Sequence, residues 1–222
     1  MRNAVRAAAT GGSLLLLLLL GGCVVNAPPV AETTVDGLER RQAKQVDTLY
    51  VLPGASLAPY KQVMLDSVEL AFKADWQTRN PEVTASDITR IRSQGAGVFY
   101  EIFSAALTRQ HGYPITTQPG PDVLRISATI SELDFATTPG TAGAQHMHLV
   151  SPADMTLLME LRDSQSGALL VRAVDKEKGR TSGNLTVEDA VSNSAEARRA
   201  LEMWAGLLRA ALDAARGTPQ AP

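Results

Sequence analysis

His146-Met147-His148 is the densest group of side chains able to do chemistry in this chain of 222 residues. On an extended segment, side chains at i and i+2 point the same way, so both imidazoles could meet one zinc or copper ion. Met147 would then face away. No cysteine and no nearby carboxylate completes a ligand set. His146 and His148 therefore read as a loop pair, metal candidates only, and no cofactor is expected. Acid–base chemistry finds no better footing. Glu132 and Asp134 could share one face of a strand end, while Glu188-Asp189 opens a late helix. A glycosidase needs two carboxylates facing each other across a cleft, whereas acids by default are solvated. A serine hydrolase would carry G-x-S-x-G and a phosphate loop a Gly-Lys pair. The chain has neither. Gly95-Ala96-Gly97 opens like a dinucleotide fingerprint, but Tyr100 stands where the third glycine belongs. Small residues there read instead as a close approach of helix to sheet. Trp76 and Trp204 read as packing residues, and His111 as a charge at a helix end.

The remaining reactive side chain is the only cysteine, Cys23. Arg2 and Arg6 precede an unbroken run of leucines from Leu14 to Leu20, followed by Gly21-Gly22-Cys23. A basic start, a short apolar stretch and small residues at the junction make a secretory signal. A spanning helix needs about 20 apolar residues, and Thr10 to Ser13 break this run too early. Leu20-Gly21-Gly22-Cys23 resembles the bacterial lipobox. The resemblance implies diacylglyceryl on the Cys23 sulfur, cleavage before it and acylation of the new amine, with several acyl chains anchoring the chain to a membrane. Val24 stands where a retention signal would place aspartate. That points to the outer membrane of a Gram-negative cell, with the protein facing the periplasm. Removal of residues 1–22 deletes two arginines and no acid, taking the net charge from −2 to −4.

Composition bounds the rest. With 45% hydrophobic residues the chain is not disordered throughout, and one cysteine cannot make a disulfide scaffold. A net charge of −2 gives no basic field, so nucleic acid is not an expected partner. Residues 23–46, with Pro28-Pro29 and no steady period, read as a lipidated N-terminus and flexible tether. Residues 47–217 read as a single globular domain, and 218–222 as a disordered tail.

Within that domain, Leu49 to Leu52 forms a short strand stopped by Pro53-Gly54. Lys61 to Phe72 alternates as one longer strand. Thr84, three residues before Asp87, suggests a capping box. The helix it opens carries Ile88, Ile91, Gly95, Val98, Ile102 and Ala106 on one face. It ends at His111-Gly112, with Gly112 in the left-handed position. Tyr113 to Thr117 is a short strand. Val123 to Leu133 alternates cleanly, with Leu124, Ile126, Ala128 and Ile130 inward. Residues 136–152 read as a loop. Met155, Leu157, Met159 and Leu161 claim the core from one arm of a hairpin that turns at Asp163 to Gly167. Leu169, Val171 and Ala173 match them from the other. A last helix with Leu201, Trp204 and Leu208 at helical spacing stops at Gly217. These elements predict an α+β fold, an antiparallel sheet of about five or six strands with two helices packed on one face.

The pattern from Asp47 to Gly217 resembles a bacterial lipoprotein family known as domain of unknown function 3313. Tyr50-Val51-Leu52-Pro53-Gly54, Tyr60 through Trp76, Tyr113 to Pro119 and Gly120-Pro121-Asp122-Val123-Leu124-Arg125 carry the likeness. It implies a lipoprotein and an α+β fold, and no mechanism.

By alternation Leu158, Leu170, Arg172 and Val174 turn away from the core. Apolar anchors mixed with arginine are what protein interfaces enrich, so these four are interface candidates for an envelope protein partner. The expected function is a non-catalytic accessory or interaction role. The alternatives are a binding module for a lipid or small apolar ligand and, third, an envelope hydrolase.

Overall fold

The computed structural model describes residues 32–139, 145–149, 155–177 and 187–217. Among them the chain forms strands β1 (Glu39–Arg41), β2 (Thr48–Val51), β3 (Gln62–Leu65) and β4 (Glu69–Phe72), then helices α1 (Trp76–Arg79) and α2 (Ala85–Thr108). Strands β5 (Val123–Leu133), β6 (Phe135–Pro139), β7 (Gln145–Leu149), β8 (Thr156–Asp163) and β9 (Leu169–Lys176) follow, and helix α3 (Val187–Arg216) closes the order. The class is α+β and the main sheet is mostly antiparallel, in the order β1-β2-β9-β8-β5-β3.

The sheet has seven strands rather than five or six, and it is mixed. The segment read as one strand from Lys61 to Phe72 breaks at Asp66–Val68. Its two halves lie end to end along β5, both parallel to it. The eleven residues of β5 are long enough to accept both. Helix α2 then carries the chain back to the start of β5, which is why β4 and β5 run the same way.

Alternation in β5 is as expected: Leu124, Ile126, Ala128 and Ile130 are buried. They join Leu157, Met159 and Leu161 of β8 beneath Phe99, Ile102 and Phe103 of α2 and Leu201, Trp204 and Leu208 of α3 in one core cluster. Both long helices therefore cover one face. Thr84 and Asp87 form the capping box in full, each side chain bonding the other's backbone N–H. At Gly95 a Cβ would run into Leu70, so this glycine does bring α2 onto β4.

The end of α2 differs from its sequence signal. Gln110 and His111 take the left-handed turn, with φ 51° and 59°, while Gly112 does not. Gly112 is needed for space. A Cβ there would collide with the Leu107 carbonyl and with Arg209 Nη1. That nitrogen donates to the carbonyls of Ala106, Leu107 and Arg109, at 3.2, 3.1 and 2.8 Å. Helix α2 has no basic residue in its last turn, and α3 supplies the charge that its C-terminus attracts.

Three further expectations are corrected. The flexible tether does not extend through residues 32–46. Leu38 is fully buried, and β1 pairs with β2 at the sheet edge. Edge strands are short and charged by necessity, and Glu39-Arg40-Arg41 gives no hydrophobic period to read. Tyr113 to Thr117 contributes one parallel bridge, Val63 to Ile115, instead of a strand. The 136–152 loop contains a hairpin, β6 with β7, that packs beside α3. The expected signal, the anchor at residues 23–31 and the 218–222 tail lie outside the described residues.

Candidate functional site

The face of the sheet away from the helices holds most of the interface candidates. Along β8, Thr156, Leu158, Glu160 and Arg162 alternate with the core residues. Across the hairpin, Leu158 lies opposite Val174 and Glu160 opposite Arg172. Strand β2 extends these rows, with Thr48 beside Val174 and Tyr50 beside Arg172. Leu158, Arg172 and Val174 thus share one face, each half-buried.

Leu170 does not. Pairing steps from Leu161↔Val171 to Arg162↔Leu169, so Leu170 stands opposite nothing. This β-bulge turns the side chain inward, where it is 8% exposed within the core cluster. Its carbonyl accepts the Leu52 N–H at 2.8 Å. Leu169, expected in the core, pairs with outward Arg162 and takes the place that alternation gave to Leu170. The outward apolar residues are therefore Leu158, Leu169 and Val174.

A network of ion pairs frames them. Glu160 accepts from Arg162 at 2.6 Å and from Arg172 at 2.7 Å, and Arg172 reaches Asp36 at 2.8 Å. Burial pushes the Glu160 carboxyl up, but hydrogen bonds from Arg162 and Arg172 outweigh it and hold the group below its ordinary value. Arg172 also loses by burial and gains more from Glu160 and Asp36, so its guanidinium stays charged. Toward β5, Arg125 pairs with Asp66 at 2.8 Å. Between them lies a polar groove of about 490 Å³, lined by Asp66, Glu69, Arg125, Ser127, Thr129 and Glu160 among others. These charges are already fixed, so a partner would meet a preorganised surface.

The other candidates do not converge with this face or with one another. Asp134 is buried, bonded by Arg79 at 3.0 Å and near Lys73 at 3.7 Å. Glu132 is exposed near the end of β5, with a left-handed backbone at φ 62°, while Asp134 is buried, so the two carboxylates share no cleft. His146 and His148 have their backbone in β7, opposite Thr138 and Ala136, while their side chains lie outside what is described. Among the described residues, no group of three His, Cys, Asp or Glu side chains could hold a metal ion. Cys23 lies outside the described residues. Trp76 is buried and stacks on Phe72 with centroids 4.3 Å apart, a packing role.

Trp204 points to something the sequence did not signal. Its Nε1–H donates to Asp175 Oδ2 at 2.8 Å, and the Asp47 N–H donates to Oδ1 at 3.0 Å. Asp175 is buried on the core side of β9, opposite Leu157. Strand alternation puts a carboxylate inside, and a tryptophan 29 residues later together with the Asp47 N–H makes that tolerable. Next to this pair, sheet and α3 fail to meet. A cavity of about 140 Å³ remains between Leu157, Met159, Ala173, Trp204, Leu208 and the segment from Ala43 to Val46.

Comparison with known proteins adds a family. A family model described as "Protein of unknown function (DUF3313)" matches residues 33–208. No curated protein matches the chain. Among solved structures, a PelC dodecamer from Paraburkholderia phytofirmans is similar at 14% identity and TM-score 0.33, covering 70% of this chain and 97% of that one. A single-site variant of the same dodecamer gives 17% identity and TM-score 0.31, with 70% and 96% covered. At these TM-scores the likeness bears on neither mechanism nor assembly.

Proposed function

The chain belongs to the DUF3313 family, and from that premise we propose that it is a lipoprotein of the outer membrane, anchored through Cys23, facing the periplasm and acting by contact rather than catalysis. The anchor reading rests on Leu20-Gly21-Gly22-Cys23 behind its apolar run. Among the described residues no helix is long and apolar enough to cross a membrane.

One observation carries the contact role: Leu158, Leu169 and Val174 lie on a sheet face that neither long helix covers, framed by arginines locked to Glu160 and Asp36. Apolar residues beside fixed arginines suit a protein partner. A non-catalytic role is further supported by buried Asp175, both of whose oxygens are already bonded, by Trp204 Nε1–H and the Asp47 N–H.

The test has two arms. Cys23→Ser should abolish labelling by a palmitate analogue and release the protein from the membrane fraction. Equal labelling would sink the anchor reading. Leu158→Asp with Val174→Asp, in the lipidated protein, should remove crosslinks from a photoreactive group placed at Thr48 while circular dichroism stays unchanged. Crosslinks that persist would show that the contact face lies elsewhere.

A further inference from the structure

We propose that the cavity beneath the β1–β2 loop is a binding site for one small apolar group, about the size of benzene. An apolar void of roughly 150 Å³ stays dry and takes up benzene, and the cavity here is about 140 Å³. Its floor is Leu157, Met159 and Ala173 of the sheet, and its wall is Trp204 and Leu208 of α3. The buried carboxylate in its lining is spoken for. Both Asp175 oxygens accept hydrogen bonds, from Trp204 Nε1 and the Asp47 N–H.

Two features separate this cavity from a packing fault. Protein cores seldom leave a void larger than a water molecule, yet Ala43, Ala173 and Ala211 all face this one, where longer side chains would fill it. It also has an entrance. Gln45 and Ala211 are exposed and both line the cavity, so a ligand enters between the irregular segment 42–47 and α3. The ligand carries no charge inward, since the one charged side chain in the lining, Asp175, already has both oxygens bonded and the other inner side chains are apolar. A free aromatic ring and the end of a single alkyl chain share that chemistry. This inference is independent of the contact face, which lies on the opposite side of the sheet.

Methionine methyl groups read out the test. Met159 lines the cavity, while Met64, Met155 and Met203 do not. In the folded protein with 13C-methyl methionine, benzene should shift the Met159 resonance saturably and leave those of Met64, Met155 and Met203 in place. At about ten times its Kd it should raise the thermal midpoint by about 3–6 °C. Octyl glucoside below its micelle concentration tests the chain source. If it shifts Met159 as well, the mouth admits an alkyl chain; if benzene alone does, the site takes free small molecules. Ala173→Leu should abolish both shifts and raise the midpoint without ligand, because the added side chain occupies the space. The proposal is overturned if Met159 fails to move with either probe, if Met64, Met155 and Met203 move together with it, or if Ala173→Leu binds as well as the natural protein.

Discussion

The β8–β9 hairpin shows two faces of one pair of strands, built on different physical terms. Its inner face is set by burial. Leu157, Met159 and Leu161 are all within the core cluster, and any residue of the right volume would serve nearly as well. Its outer face is set by specific pairs, Glu160 with two arginines and Arg172 with a second acid 136 positions earlier in the chain. Inner contacts are non-directional and tolerate repacking. Outer contacts fix where each charge sits and what a partner meets. The stabilising side and the presenting side of the hairpin thus answer to different substitutions.

Leu170→Asp bears hardest on that division. The bulge places Leu170 among core residues, so an aspartate there is a buried, unpaired charge and should cost about 3–5 kcal/mol or prevent folding. Val174→Asp, in the same outward rows as Thr48 and Leu158, should cost less than about 1 kcal/mol. Urea midpoints decide it. Equal losses would mean that the bulge does not reverse the faces. Next in size is Leu161→Ala, expected to lose about 2–5 kcal/mol through lost burial and an enlarged void. Leu158→Ala on the outer row should lose well under half as much.

A smaller loss than either core substitution belongs to the charges. Glu160→Gln should cost about 1–3 kcal/mol at neutral pH. It should also change the acid response. A carboxyl held below its ordinary value in the folded state contributes stability that is present above that ordinary value and lost as pH falls through the depressed one. The natural protein should therefore lose stability more steeply below about pH 4.5 than the Glu160→Gln variant does. Thermal melts between about pH 6 and pH 3 measure the two slopes, and parallel slopes would show that Glu160 is not held by its arginines.

Much of the inner face was legible because alternation is a local signal. Leu124 to Ile130 and Met155 to Leu161 could be placed from period two alone, and Thr84 with Asp87 from capping chemistry three residues apart. What escaped was relational. The bulge at Leu170 is a mismatch between two strands, and neither strand's sequence contains it. Strand β1 is three residues, two of them arginine, so no apolar stripe marks it. The cap on α2 comes from Arg209, 100 positions after the carbonyl it reaches at Arg109. The cavity is a shape left between elements, visible only once the sheet, α3 and the 43–46 segment are in place. The outer face was half readable: its residue types were right, but one leucine stood where its neighbour belonged.

The hairpin that precedes β1 has a mechanical consequence. Thr33 bridges Glu39, the Arg40 N–H bonds the Glu32 carbonyl at 3.0 Å, and Gly37 turns the chain at φ 77°. Tension applied at Glu32 therefore acts on these few bonds first, and it opens them one after another as a zipper does. The remaining ladder, Glu39 to Arg41 on β2, comes under load only after the turn is undone. Shearing a ladder would strain all its bonds together; unzipping spends them singly, at low force. A pull entering from the N-terminal side would lengthen the chain by several residues before the β1–β2 ladder carried load, and it would reach the outer rows first through the Asp36–Arg172 ion pair.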